Sequence, residues 1–158
     1  SSLYVLDTLE VDSIALMIDE ETRPLTGVAS LIDWRFCGKL SEMLKNKTIT
    51  GKQGELILLP TEGRFKTSRI FLFGLGDIES RLEKIPEILQ WMVIILQKAK
   101  AESVAFATPQ TCEKGYEAIK SLSDFPLPFL YKGLFRLAPD NTREQASNKQ
   151  PLAQEIHT

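Results

Sequence analysis

Apolar residues in this chain fall first into short unbroken runs and then into a wider, helix-like spacing. Leu3–Leu6 and Ile14–Ile18 are nearly continuous, with the polar stretch Asp7–Ser13 between them. Runs of that length without alternation predict strands buried on both faces. After the polar break Glu20–Pro24 the pattern changes: Val28, Leu31, Ile32, Phe36, Leu40, Met43 and Leu44 recur every three to four residues. That period predicts one helix from about Thr26, laying a stripe on a sheet. Trp34 falls opposite the centre of the stripe with Cys37 at its flank, and other loops of the same domain are expected to cover the indole.

Glu55–Leu59 and Arg69–Phe73 are again apolar without alternation, separated by the loop Pro60–Ser68, and predict two central strands covered on both faces. A second helix is expected from about Ile85, with Pro86 in its first turn, Ile88, Leu89, Met92, Val93, Ile95, Leu96 and Ala99 on one face, and Lys98 and Lys100 near its end. Ser103–Ala107 reads as a strand, Glu113–Leu122 as a shorter helix, and Lys132–Leu137 as one more strand. The order β-β-α-β-β-α-β-α predicts an α/β domain of three layers, a central mixed sheet flanked by helices. Its expected limits are residues 1–138, with a polar tail or linker over residues 139–158, where periodicity ceases.

Composition narrows the function classes. With 43% hydrophobic and 25% charged residues the chain is built like a folded domain, and its net charge of −2 lacks the electrostatic footprint of a dedicated nucleic-acid binder. Cys37 and Cys112 are far apart and lack metal-type spacing, so reduced thiols and a cytoplasmic location are expected. The single histidine, His157, lies in the polar tail, which removes Ser-His or Cys-His nucleophile pairs and multi-histidine metal sites. The opening SSLYVLDT lacks the basic and apolar regions of a signal peptide, and Ile85–Leu96 is too short to span a bilayer. A first residue other than methionine suggests a longer native chain.

The block Thr50–Gly76, read with the helical segment before it, resembles the amino-terminal domain of the leucyl aminopeptidases, the cytosol aminopeptidase family of metallopeptidases. The matching pieces are Gly27, Ile32-Asp33, Gly38, the run Thr50-Gly51-Lys52-Gln53-Gly54-Glu55 and the closing Arg69-Ile70-Phe71-Leu72-Phe73-Gly74-Leu75-Gly76. The resemblance implies a macro-domain-like fold and an accessory role. It places divalent metals, zinc or manganese, in a separate catalytic domain absent from this chain. Asn141-Thr142-Arg143-Glu144 is similar to the start of that domain's signature but lacks its aspartate, glycine and Arg-Leu. No residue is therefore assigned a catalytic or metal-binding role.

Gly74, Gly76 and Asp77 are candidates for a phosphate cradle, because glycines at a strand end admit close backbone approach. No third glycine or lysine completes a nucleotide motif, and Asp77 and Glu79 would repel a phosphate. Asp7, Asp12, Asp19, Glu20 and Glu21 have no calcium-loop spacing and read as solvated turns. Three readings follow. The first is a non-catalytic accessory domain serving assembly or regulation, whose partners would be further copies or a separate aminopeptidase catalytic subunit. The others are part of a full metal-dependent leucyl aminopeptidase, and a macro-domain-like module binding ADP-ribose or a nucleotide.

Overall fold

The computed structural model describes residues 6–21, 23–77, 82–109, 113–120, 126–137 and 153–156. Six strands form one sheet: β1 Ser13–Asp19, β2 Leu56–Pro60, β3 Arg69–Gly76, β4 Ser103–Ala107, β5 Leu130–Leu137 and β6 Ala153–Ile156. Their spatial order is β2-β3-β1-β4-β5-β6, all neighbours parallel except the antiparallel pair β2–β3. The expected mixed sheet flanked by helices is what the chain adopts.

The helices are α1 Gly27–Arg35, α2 Lys39–Lys45, α3 Ile85–Lys98 and α4 Glu113–Lys120, with a 3₁₀ turn, Leu82–Lys84, leading into α3. Alternating residues of the central strands feed two separate cores. Ile14, Leu16, Ile18, Ile70 and Leu72 pack against Val28, Ile32 and Leu40 of α1 and α2. Ala15, Met17, Phe71, Phe73 and Phe106 pack against Ile88, Leu89, Met92 and Leu96 of α3 and against Tyr116 and Ile119 of α4. β1 and β3 are apolar on both faces because both faces are covered, as their unbroken runs predicted.

Several elements depart from the sequence reading. Leu6 sits in a helical turn over residues 6–8, buried in the α1-side core, rather than in a strand; residues 3–5 of that expected strand lie outside the described residues. β2 is an edge strand with Leu56 39% and Leu58 52% exposed, not a central one. Within the segment read as tail, Ala153–Ile156 pairs in parallel with Leu134–Leu137, since β5 offers an open edge of backbone groups there.

The single helix expected from Thr26 is two. Cys37 and Gly38 both take positive φ, 56° and 81°, and turn the chain between α1 and α2. Gly38 adopts that conformation without steric cost. Asp33, 9% exposed, then caps α2 from outside: its carboxylate accepts the amides of Leu40 at 2.8 Å and Ser41 at 3.2 Å and the Ser41 hydroxyl. The aspartate thus sits buried at the end of an apolar stripe because it is fully used.

At the amino ends of the strands Asp12 ties three of them together. Its carboxylate accepts the Ser13 hydroxyl at 2.6 Å and the amides of Glu102 and Ser103 at 2.7 and 3.2 Å, with Arg69 of β3 at 3.7 Å. Arg69 also donates to the carbonyl of Ala99 at the end of α3, at 2.9 Å. Burial works against the charged form of Asp12, but the Ser13, Glu102 and Ser103 hydrogen bonds and the Arg69 charge outweigh it and lower its pKa.

Two outcomes follow from these clamps. Because the folded pKa of Asp12 is below the unfolded one, its contribution is complete above the unfolded value, about 3.9, and is lost as pH falls through the folded value. Asp12→Asn should lower the urea midpoint at pH 7 and flatten its decline below pH of about 4 relative to wild type; parallel curves would contradict the clamp. Asp33→Ala should cost about 1–3 kcal/mol by urea denaturation, since it orphans two amides and a hydroxyl at the start of α2.

Candidate functional site

The carboxyl ends of β1 and β3, where Gly74, Gly76 and Asp77 lie, are closed by the chain itself. The loop Thr50–Glu55 crosses directly over them. The amide of Gly76 donates to the carbonyl of Gly51 at 2.8 Å, and the amide of Gly74 to the carbonyl of Glu55 at 2.9 Å. The Gly76 carbonyl accepts the Glu20 amide at 3.2 Å. A Cβ on Gly74 would stand 2.0 Å from the Lys52 carbonyl oxygen, and one on Gly51 would stand 2.1 Å from that of Asp19. These glycines are required by backbone meeting backbone.

Glu55 fastens the loop. Its carboxylate accepts the Thr50 amide at 2.9 Å, the Thr50 hydroxyl at 2.7 Å and the Gly51 amide at 2.7 Å. Burial opposes its charge, yet the Thr50 and Gly51 hydrogen bonds and nearby Lys52 prevail and its pKa is lowered. Arg23 adds a second brace, donating to the carbonyls of Asp19 at 3.2 Å and Thr50 at 2.7 Å. A phosphate brought to Gly74 and Gly76 would compete with these internal bonds for both amides. Helix α3 begins at Ile85, so its amino terminus does not directly follow Gly76 as it would in a dinucleotide cradle.

The acidic residues singled out in the sequence are dispersed. Asp7 pairs with Arg35, Asp12 binds the amino ends of the strands, and Asp19 closes β1 at the opposite end. Among the described residues no group of three or more histidine, cysteine or carboxylate side chains could hold a metal ion. No helix among them is long and apolar enough to cross a membrane. Cys37 is an exposed free thiol, while Cys112 lies outside the described residues.

A shallow, open depression of about 620 Å³ lies at the α1–α2 junction, lined by Ser30, Asp33, Trp34, Arg35, Cys37 and Gly38. Trp34 is 65% exposed, so the expected cover from loops of the same domain is not found among the described residues. The Arg35 guanidinium lies 5.6 Å from the indole centroid, and Arg64 donates to the Arg35 carbonyl at 3.1 Å while its guanidinium stands 5.9 Å from the Phe36 ring. The sequence marks Trp34 by its position opposite the helical stripe. It gives less sign of Glu55, whose role depends on a turn folding back over five residues.

Comparison with known proteins places this architecture. Residues 14–125 match the family model described as the cytosol aminopeptidase family, N-terminal domain. The probable cytosol aminopeptidase of Alkaliphilus metalliredigens is 28% identical over 108 residues, 68% of this chain and 22% of that protein. That of Pseudomonas syringae pv. tomato is 33% identical over 70 residues, 44% of this chain and 14% of that protein. The chain therefore spans about a fifth or less of the curated relatives it matches. Among solved structures, a tomato leucine aminopeptidase mutant aligns over 95% of this chain and 30% of its own, with TM-score 0.52 and 18% identity. The macrodomain of Mycobacterium tuberculosis DarG aligns over 96% of this chain and 91% of its own, with TM-score 0.54 and 14% identity, a likeness of fold alone. With the match covering most of the sheet and its flanking helices, the chain belongs to the cytosol aminopeptidase family, as an amino-terminal domain of that family.

Proposed function

We propose that this chain is a non-catalytic accessory domain whose work is assembly or control of access to an aminopeptidase catalytic part. One contrast carries the reading: the polar groups at both ends of the central strands are spent on the fold, while the large apolar side chains Trp34, Leu56 and Leu58 are left outside it. A domain so arranged has more to offer a protein surface than a small substrate. Removal of amino-terminal residues from peptides, with the zinc or manganese it uses in the resembled family, belongs on this reading to residues outside this chain. Its partners are further copies or an aminopeptidase catalytic subunit, and its setting is the cytoplasm.

A nucleotide or ADP-ribose module at Gly74, Gly76 and Asp77 is supported by the macrodomain-like fold, and saturable binding of ADP-ribose by the purified chain would favour it. The accessory reading is tested by leucyl-p-nitroanilide hydrolysis with added manganese or zinc. No turnover is expected from the chain alone. Hydrolysis that persists through successive purification steps and tracks the protein peak would overturn it.

A further inference from the structure

The outer edge of β2 carries a hydrogen-bonding pattern that fits itself. In the β2–β3 ladder Glu55 pairs with Gly74 and Thr61 with Ser68 through amide-to-carbonyl bonds of 2.9 and 3.3 Å. The register Leu56↔Phe73 to Pro60↔Arg69 continues that phase, so Ile57 and Leu59 direct their backbone groups toward β3. The N–H and C=O of Leu56 and Leu58 consequently point away from the sheet, as does the carbonyl of Pro60. Pro60 has no N–H to give. No charged side chain lies within Leu56–Pro60, although charge is a usual protection of an open edge.

We propose that this edge pairs antiparallel with β2 of a second copy about a two-fold axis at Ile57, extending the sheet across two chains. The proposal deepens the assembly reading above and rests on it. Centring on Ile57 sets Leu56 opposite Leu58 of the other copy twice, and all four amides find a carbonyl. Centring on Leu58 instead would also make four bonds, but it would set Leu56 against Pro60 and leave the Leu56 carbonyl of each copy without a donor. Only the axis at Ile57 uses every amide and carbonyl of Leu56 and Leu58.

Side chains and end charges agree with the same arrangement. Leu56 and Leu58 share the sheet face of their partners Phe73 and Phe71. α3 covers Phe73 through Trp91, ring centroids 5.3 Å apart, but leaves the two leucines open and Ile94 49% exposed three residues further along. Pairing joins four leucines into one apolar strip between two copies of α3. Exposed Lys52 precedes the strand and exposed Glu62 follows it. Arg64 and Lys66 beyond Glu62 are turned to the Arg35 carbonyl and to Glu10. Antiparallel pairing then brings the Lys52 end of one copy to the Glu62 end of the other.

Four backbone bonds and four leucines make a small interface, so the dimer should form and dissociate with concentration. Light scattering over a dilution series of the whole chain should show monomer giving way to dimer. Leu58→Glu, at an exposed site that leaves the circular dichroism spectrum unchanged, should weaken dimerisation roughly tenfold or more, because it sets uncompensated carboxylates in the strip. In a Cys37→Ser, Cys112→Ser background, Leu56→Cys with Leu58→Cys should oxidise to a covalent dimer, the opposed Cα atoms being about 5.5 Å apart in such a pair. Leu58→Cys alone should link poorly.

A chain that stays monomeric at every concentration, a dimer indifferent to Leu58→Glu, or efficient linking through Leu58→Cys alone would each overturn the proposal. An inactive monomer that binds a supplied aminopeptidase catalytic domain would sink it while leaving the accessory reading intact. Peptidase turnover would instead strike the accessory reading.

Discussion

The fold depends on backbone lying against backbone where the loop Thr50–Glu55 crosses the carboxyl ends of β1 and β3. Gly51, with φ of 82°, faces the Asp19 carbonyl, and Gly74 faces that of Lys52, at distances that exclude any side-chain carbon. This contact fixes how far the loop can descend and hence where β2 begins. With Gly74 and Gly76 bonded to Glu55 and Gly51, β2 leaves the crossing already in register with β3. Glu55 holds the turn by accepting from Thr50 and Gly51, so the residue that leads directly into the strand also closes the loop before it.

The opposite end of the sheet is held by a different device, a charged one. Asp12 gathers the start of β1, the start of β4 and, through Arg69, the start of β3 and the end of α3. Each end carries a carboxylate whose pKa is lowered and whose grip weakens in acid, Glu55 at the top and Asp12 at the bottom, but the crossing at the top also rests on a steric contact that pH does not change. Between them the central parallel strands are pinned at both ends and covered on both faces. What is left unspent lies at the margins: the outer edge of β2 and the outward side of α1.

The sequence disclosed the parts of this arrangement that depend on local pattern. Ile14–Ile18 and Ile70–Phe73 read correctly as buried strands because each has a helix layer on both sides. Leu56–Leu59 has the same unbroken apolar pattern and was expected to have the same surroundings, yet α3 does not extend over it. An apolar run reports that a strand avoids water and is silent about whether its own chain supplies the cover. The break at Cys37–Gly38 was marked by a glycine inside a helical period, but the period of the stripe continues from Ile32 to Leu40 across it, which hid the turn. Asp33 and Glu55 were legible only as charges. Their use depends on amides that lie four to eight residues away along the chain and meet them only once the turns have formed. β6 was concealed for a related reason, since four residues carry little periodicity and their pairing partner is nearly twenty residues earlier.

The two unspent margins face in different directions, and that separation constrains what the domain can do. Trp34 stands on the outward side of α1, in the layer that covers Ile14, Leu16 and Ile18. Leu56 and Leu58 belong to the other face, beside Phe71, Phe73 and Trp91. A partner seated on one margin does not occupy the other. The β2 edge is suited to a copy of itself because its donors and acceptors repeat about an axis. The α1 margin has no such repeat: it offers a single indole, and the Arg35 guanidinium beside it is already paired with Asp7. Self-association through the sheet edge would thus leave the exposed Trp34 side of the domain uncovered.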